Sequence, residues 1–155
     1  MVLFDGEEHE IEIEGVSFTD IPKLGTQWKV IFDLKPVFVG RGLILSLVDS
    51  EIGRAVGSMF CMSSSAICSL NSQGNVEAHQ RAYEVPKLCQ WTRVDMTHEK
   101  VDGQFHLTLS LDGKEVARIE AHPELQRLTN VSIDFHAGGS EDQGSFRRLV
   151  VLGNQ

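Results

Sequence analysis

Residues 101–116 read VDGQFHLTLSLDGKEV, and this stretch decides the fold. Phe105, Leu107, Leu109 and Leu111 alternate with His106, Thr108 and Ser110. A period of two puts the apolar side chains on one face of a strand and the polar ones on the other. The run is bounded on both sides by Asp-Gly, at Asp102-Gly103 and at Asp112-Gly113. Asp-Gly suits the two-residue turn whose central residues both take positive φ and whose twist matches the strands it joins. Lys114-Glu115-Val116 then opens a return strand, so the unit is an antiparallel hairpin with one buried face.

The same period extends outward in both directions. Trp28, Val30, Phe32 and Leu34 alternate with Lys29, Ile31, Asp33 and Lys35, and Pro36 is expected to stop that strand. Val131, Ile133 and Phe135 alternate with Ser132, Asp134 and His136. Turn residues stand between such runs at Gly40-Arg41-Gly42, Asn71-Ser72-Gln73-Gly74-Asn75 and Gly138-Gly139. The pattern predicts roughly ten or eleven short strands and at most one short helix, near 123–128, where Pro123 opens a segment ending at Leu128. Half-buried strands at this density must cover one another's apolar faces, which predicts an all-β, two-sheet antiparallel sandwich. Trp28, Phe32, Leu45, Phe105, Leu107, Leu109, Ile133 and Phe135 are the expected core.

With 155 residues, 41% apolar content and no linker or repeat, residues 1–155 are expected to form a single β-sandwich binding domain. The formal charge of −8 and the absence of any basic cluster longer than Arg147-Arg148 argue against nucleic acid, which asks for a basic face. Runs such as Leu149-Val150-Val151-Leu152 fall far short of the ~20 apolar residues of a membrane span. The first residues show no basic segment and no apolar leader-length run, which leaves the compartment open: cytoplasmic, leaderless export, or export with the leader removed. Cys61, Cys68 and Cys89 cannot all pair within one chain and have no Cys-x-x-Cys spacing. Buried thiols are the ordinary reading, and a Cys61–Cys68 bridge across Ser63-Ser64-Ser65 is the sharper one.

From Trp91 onward, the strand begun by Trp91, the 101–116 hairpin with its Leu-Asp-Gly-Lys turn, Val131–Phe135 and Gly144–Leu152 follow one another. This succession resembles the back half of concanavalin-like jelly rolls, among them laminin-G modules, pentraxins and galectins. The resemblance implies binding of a glycan, glycosaminoglycan or protein. The galectin sugar-binding pattern, His-x-Asn-x-Arg followed by Trp-x-x-Glu-x-Arg, does not occur, nor is a calcium-site pattern of pentraxins or legume lectins recognisable.

The residues offer one binding constellation. In Val76–Ala82, Glu77, His79 and Arg81 stand at two-residue spacing opposite Val76, Ala78 and Ala82, a row of hydrogen-bonding groups suited to a sugar lying along a sheet. Asn71, Gln73 and Asn75 would form its amide rim, and Trp91 with Arg93 would add an aromatic platform and a cation. An ordinary wet strand face is the plain alternative. Glu10, Glu12 and Glu14 look like the carboxylates of a jelly-roll glycanase, where residues four apart share a strand face. A solvated outer face beside inward Ile11 and Ile13 explains the same letters, so no catalytic role is expected. Nucleophile motifs such as Gly-x-Ser-x-Gly are absent. The acidic loops Asp49-Ser50-Glu51 and Glu141-Asp142 carry oxygen ligands of the kind calcium takes, but exposed loop charges are ordinarily solvated, and no metal or cofactor is expected. Two functions follow: lectin-like recognition of a glycan or glycoprotein, and, as the alternative, a protein-interaction or structural module, with homo-oligomerisation open. A glycanase is the outsider.

Overall fold

The hairpin read from residues 101–116 is present, and the rest of the fold is built on it. The structure, a computed structural model, describes the chain except at residues 1, 7, 23, 52–53, 62–65, 71–72, 74, 83, 127–129 and 154–155; along several strands, 54–61 and 76–79 among them, only the backbone is described. In chain order the strands are β1 (Val2–Asp5), β2 (Ile11–Glu12), β3 (Val16–Pro22), β4 (Trp28–Phe38), β5 (Leu43–Asp49), β6 (Arg54–Cys61), β7 (Ala66–Leu70), β8 (Val76–Arg81), β9 (Thr92–Val101), β10 (Gln104–Leu111), β11 (Lys114–Glu120), β12 (Asn130–Ala137) and β13 (Gln143–Gly153). Among the described residues they form two antiparallel sheets. One is seven-stranded, in the order β1-β13-β4-β9-β10-β11 with β2 on β13; the other is six-stranded, in the order β3-β12-β5-β6-β7-β8. The two pack as a sandwich, the jelly roll expected from the sequence.

Both Asp-Gly turns have the backbone their residues suit, with φ of 51° and 82° at Asp102-Gly103 and 49° and 83° at Asp112-Gly113. Between the sheets, Phe135 of β12 stacks on Phe146 of β13 at 4.0 Å and meets Phe32 of β4 edge-on at 5.1 Å. These three rings tie β12 of the six-stranded sheet to β4 and β13 of the other. Every expected core residue is buried except Phe105, which is partly buried against the core and stacks on His98.

Several expectations are corrected. Pro36 does not end its strand: β4 runs on to Phe38, with Pro36 opposite Gly144 of β13. The ladder with β9 ends at Leu34 opposite Thr92, so no N–H is demanded of the proline on that side. The described strands outnumber the expected ten or eleven because β1 and β2 are too short to show a period. The short helix is a single 3-10 turn, Pro123–Gln126. Cys89 is exposed, not buried, with φ of 59°; the side chains of Cys61 and Cys68 lie outside the described residues.

Candidate functional site

On the six-stranded sheet, β5 turns Leu43, Leu45 and Leu47 into the core, leaving Ser46 on the outer side, and β12 does the same with Asp134 and His136, which alternate with its buried Ile133 and Phe135. The register aligns these positions across the sheet. Asp134 pairs with Ser46, Ser46 with Ser58, Ser58 with Cys68 and Cys68 with His79. The adjacent row runs from His136 through Ile44, Phe60 and Ala66 to Arg81. Strands lie about 4.8 Å apart, so five of them carry each row over about 19 Å. Asp134 accepts a hydrogen bond from the Ser132 hydroxyl at 2.9 Å, and Ser46 is only 7% exposed, so this end of the row is already packed and ordered.

The sequence-derived candidates divide over two sheets. Gln73, Asn75 and Arg81 are exposed, on or just before β8, the edge strand of the six-stranded sheet. Asn71 lies outside the described residues, and Glu77 and His79 are described by backbone alone. The register slips between Ser69, opposite Ala78, and Leu70, opposite Val76, so Glu77 falls at a bulge and the expected regular row of three is interrupted. Trp91 and Arg93 do not join this strand. Between Arg81 and Thr92 the chain crosses to the seven-stranded sheet, where Arg93 is exposed on β9 and Trp91 sits half-buried just before it. Nearness in sequence is not nearness on a face when the intervening segment changes sheets.

Around Trp91 the structure gathers side chains from three further positions. The Arg147 guanidinium stands 4.0 Å from the ring centroid and the Lys35 ammonium 5.0 Å. Lys35 pairs with Glu10 at 2.8 Å, and hydrogen bonds from Lys35 and from Ser145 hold the Glu10 carboxyl below its usual range. Glu10 therefore belongs to this cluster. Glu12 and Glu14 instead line an open cleft of about 710 Å³ at one end of the sandwich, with His136, Gly139, Asp142 and Gln143. The chain bends at Glu14-Gly15, where Gly15 has φ of 74°, so Glu10 and Glu14 do not share a strand face as a glycanase pair would.

Asp142 is used structurally. Although burial pushes its carboxyl up, backbone N–H groups of Gly40, Gly42, Gly139 and Arg41 bring it below the usual carboxylate range. Its oxygens bind Arg41 and Gly42 at 3.0 Å and Gly139 at 2.8 Å, and also Gly40, pinning the β4–β5 loop to the β12–β13 loop. Those lone pairs are thereby spoken for. Asp49 likewise accepts the Glu51 N–H at 2.9 Å in its own loop. Among the described residues no group of three or more His, Cys, Asp or Glu side chains is placed to hold a metal ion, and no helix is long and apolar enough to cross a membrane.

The alternation of Asp134 and His136 with core residues marks them as outer-face residues, because period two alone assigns a face, whereas their alignment with His79 and Arg81 across five strands required the register. The set around Trp91 draws on β4 and β13 and required the tertiary pairing.

No protein-family model matches the chain, and no curated protein sequence does. Solved structures do. The galectin LEC-6 of Caenorhabditis elegans is 10% identical with a TM-score of 0.65, over 96% of this chain and 94% of that one. A sialidase is 12% identical with a TM-score of 0.64 over 94% of this chain, which spans only 15% of the sialidase chain. The alginate lyase AlyC3 is 8% identical with a TM-score of 0.63, over 92% of this chain and 74% of that one. Other galectins match as well. At these identities the likeness establishes the fold, the galectin- and concanavalin-like jelly roll, which occurs in lectins and in enzymes.

Proposed function

We propose that the protein is a non-catalytic carbohydrate-binding module whose saccharide lies across the outer face of the six-stranded sheet. The observation that carries this reading is the pair of register rows that end at His79 and Arg81. The first row carries carboxylate, hydroxyl and imidazole residue types, donors and acceptors for sugar hydroxyls. The second is polar only at its ends, His136 and Arg81, with Ile44, Phe60 and Ala66 between them, and about 19 Å suits a short oligosaccharide. Gln73 and Asn75 are the rim, with Asn71 and Glu77 completing the set that the sequence marks out. Support also comes from the galectins that share the fold, although sialidase and alginate lyase share it too and fold does not fix function. The separation of Glu10 from Glu14 favours binding over hydrolysis.

A glycan-array screen with and without chelator tests the reading. The wild type is expected to retain a defined set of glycans in chelator. His79→Ala combined with Arg81→Ala is expected to lose them while its melting temperature holds. Retention unchanged in that double variant would sink the placement. The second reading, a protein-interaction module, is favoured by one feature: Val37 (40%), Phe38 (47%) and Leu88 (54%) are exposed, and the Cys89 N–H donates to the Pro36 carbonyl at 2.6 Å, which holds the Leu88-Cys89 segment against the end of β4.

A further inference from the structure

We infer that the outer face of the seven-stranded sheet carries a second site, built on Trp91, Arg147 and Arg148, for an oxyanion borne on a sugar ring, a uronate or a sulfated saccharide. In a regular strand only one of two consecutive residues can face outward. Phe146 and Leu149 are both buried, yet Arg147 and Arg148 both reach Asp33 on the outer face, at 3.2 and 3.8 Å. A bulge makes this possible: Arg147 pairs with Asp33 and Val150 with Ile31, so β13 spends one residue more than β4 over the same interval. Arg148 takes φ of 56° there, a conformation that side chains with a Cβ rarely adopt and that costs less with glycine. The strand thus bears local strain to set two guanidinium groups side by side.

What those groups can take follows from their chemistry. A guanidinium offers five N–H donors, and Asp33 occupies few of them: one hydrogen bond from Arg147 Nε and an ion pair with Arg148. Arg148 is 54% exposed in its side chain. Two forks together match the geometry of a carboxylate or sulfate. Next to them stands the half-buried Trp91 ring, with the Arg147 guanidinium 4.0 Å and the Lys35 ammonium 5.0 Å from its centroid. The part of the ring these cations leave open suits apolar C–H groups of a pyranose and distinguishes a sugar-borne anion from a free one. The ion pairs around Trp91 join Lys35, Arg93, Arg147 and Arg148 to Glu10, Asp33 and Asp95, so guanidinium and ammonium groups gather at this spot in a chain whose net charge is −8. This site is independent of the six-stranded face, because the two lie on opposite outsides of the sandwich.

The test is a titration of the full chain, followed by Trp indole resonances, with four probes: a sulfated glycosaminoglycan tetrasaccharide, an unsulfated uronate tetrasaccharide, a neutral tetrasaccharide and sodium sulfate, repeated with an oligoglutamate peptide. The Trp91 indole is expected to shift with at least one anionic saccharide, and buried Trp28 to stay still, with no comparable response to the neutral sugar, the salt or the peptide. Arg148→Gly is expected to bind about tenfold more weakly, the loss of a hydrogen bond to a charged group, while its melting temperature is unchanged or raised because the left-handed residue is relieved. Trp91→Ala should weaken binding similarly. Unaltered affinity in Arg148→Gly would overturn the proposal, and so would an equal response to neutral sugar, free sulfate or peptide, or no response to either anionic saccharide. Loss of neutral-glycan binding through His79 and Arg81 would leave it untouched.

Discussion

His98 shows how much one side chain can report. It is fully buried, its ring lies between Trp28 at 5.4 Å and Phe105 at 5.0 Å, and its Nδ1–H donates to the Thr26 carbonyl at 2.7 Å. Since a carbonyl can only accept, Nε2 is left as the bare acceptor, buried and without a protein partner among the described residues. Burial holds the imidazole below its ordinary value, with the Thr26 carbonyl pulling the other way. The unfolded chain therefore takes the proton more readily than the folded one. Stability is fully present above about pH 6.5 and declines as the pH falls below that value. Thermal melts between about pH 7.5 and 5 should show this decline in the wild type and a flatter profile in His98→Phe, which keeps the ring stack; an identical slope in both would contradict the assignment. Asp142 is displaced in the same direction, its carboxyl being lowered, and because a carboxyl starts from a more acidic value its contribution is lost only in more acidic solution. Asp142→Ala should cost about 2 kcal/mol or more, because four backbone N–H groups lose their acceptor together; denaturant midpoints measure it.

At the scale of elements, the hairpins were legible because their determinants are local. The period of two and the Asp-Gly dipeptides act within a few residues, and the strand pairings of β9, β10 and β11 follow from them. Gly113→Ala puts a Cβ at φ of 83° and should destabilise by about 1–2 kcal/mol, read by urea unfolding. The bulges were not legible. Nothing in Arg147-Arg148 or in Glu77 announces a register slip, since each bulge is the compromise between two strands whose other contacts are fixed elsewhere. Pro36 was misread for a related reason. A proline inside a strand is excluded only where a neighbour needs its N–H, and the end of β9 decides that. The candidate site suffered most from this distance dependence: Gln73, Asn75 and Arg81 were found on one edge, while Trp91 and Arg93 lay one sheet crossing away.

For the molecule as a whole, the two sheets depend on one shared core, and the two outer faces are free to carry separate chemistries. Leu107 is wholly buried on β10, and Leu107→Ala should cost roughly 3 kcal/mol or more, with an unchanged denaturation midpoint contradicting the strand assignment. The net charge of −8 is unevenly spread: the Trp91 face concentrates arginine, whereas the six-stranded face mixes acidic, hydroxyl and imidazole residues. The most direct measurement of the central claim is a map of backbone amide shifts during titration with a neutral oligosaccharide retained on the array. Shifts concentrated at Gln73 to Arg81, with Ser46 and Asp134 across the sheet, are the predicted result; shifts confined to the cleft lined by Glu12, Glu14 and Gln143, or to the seven-stranded sheet, would contradict it.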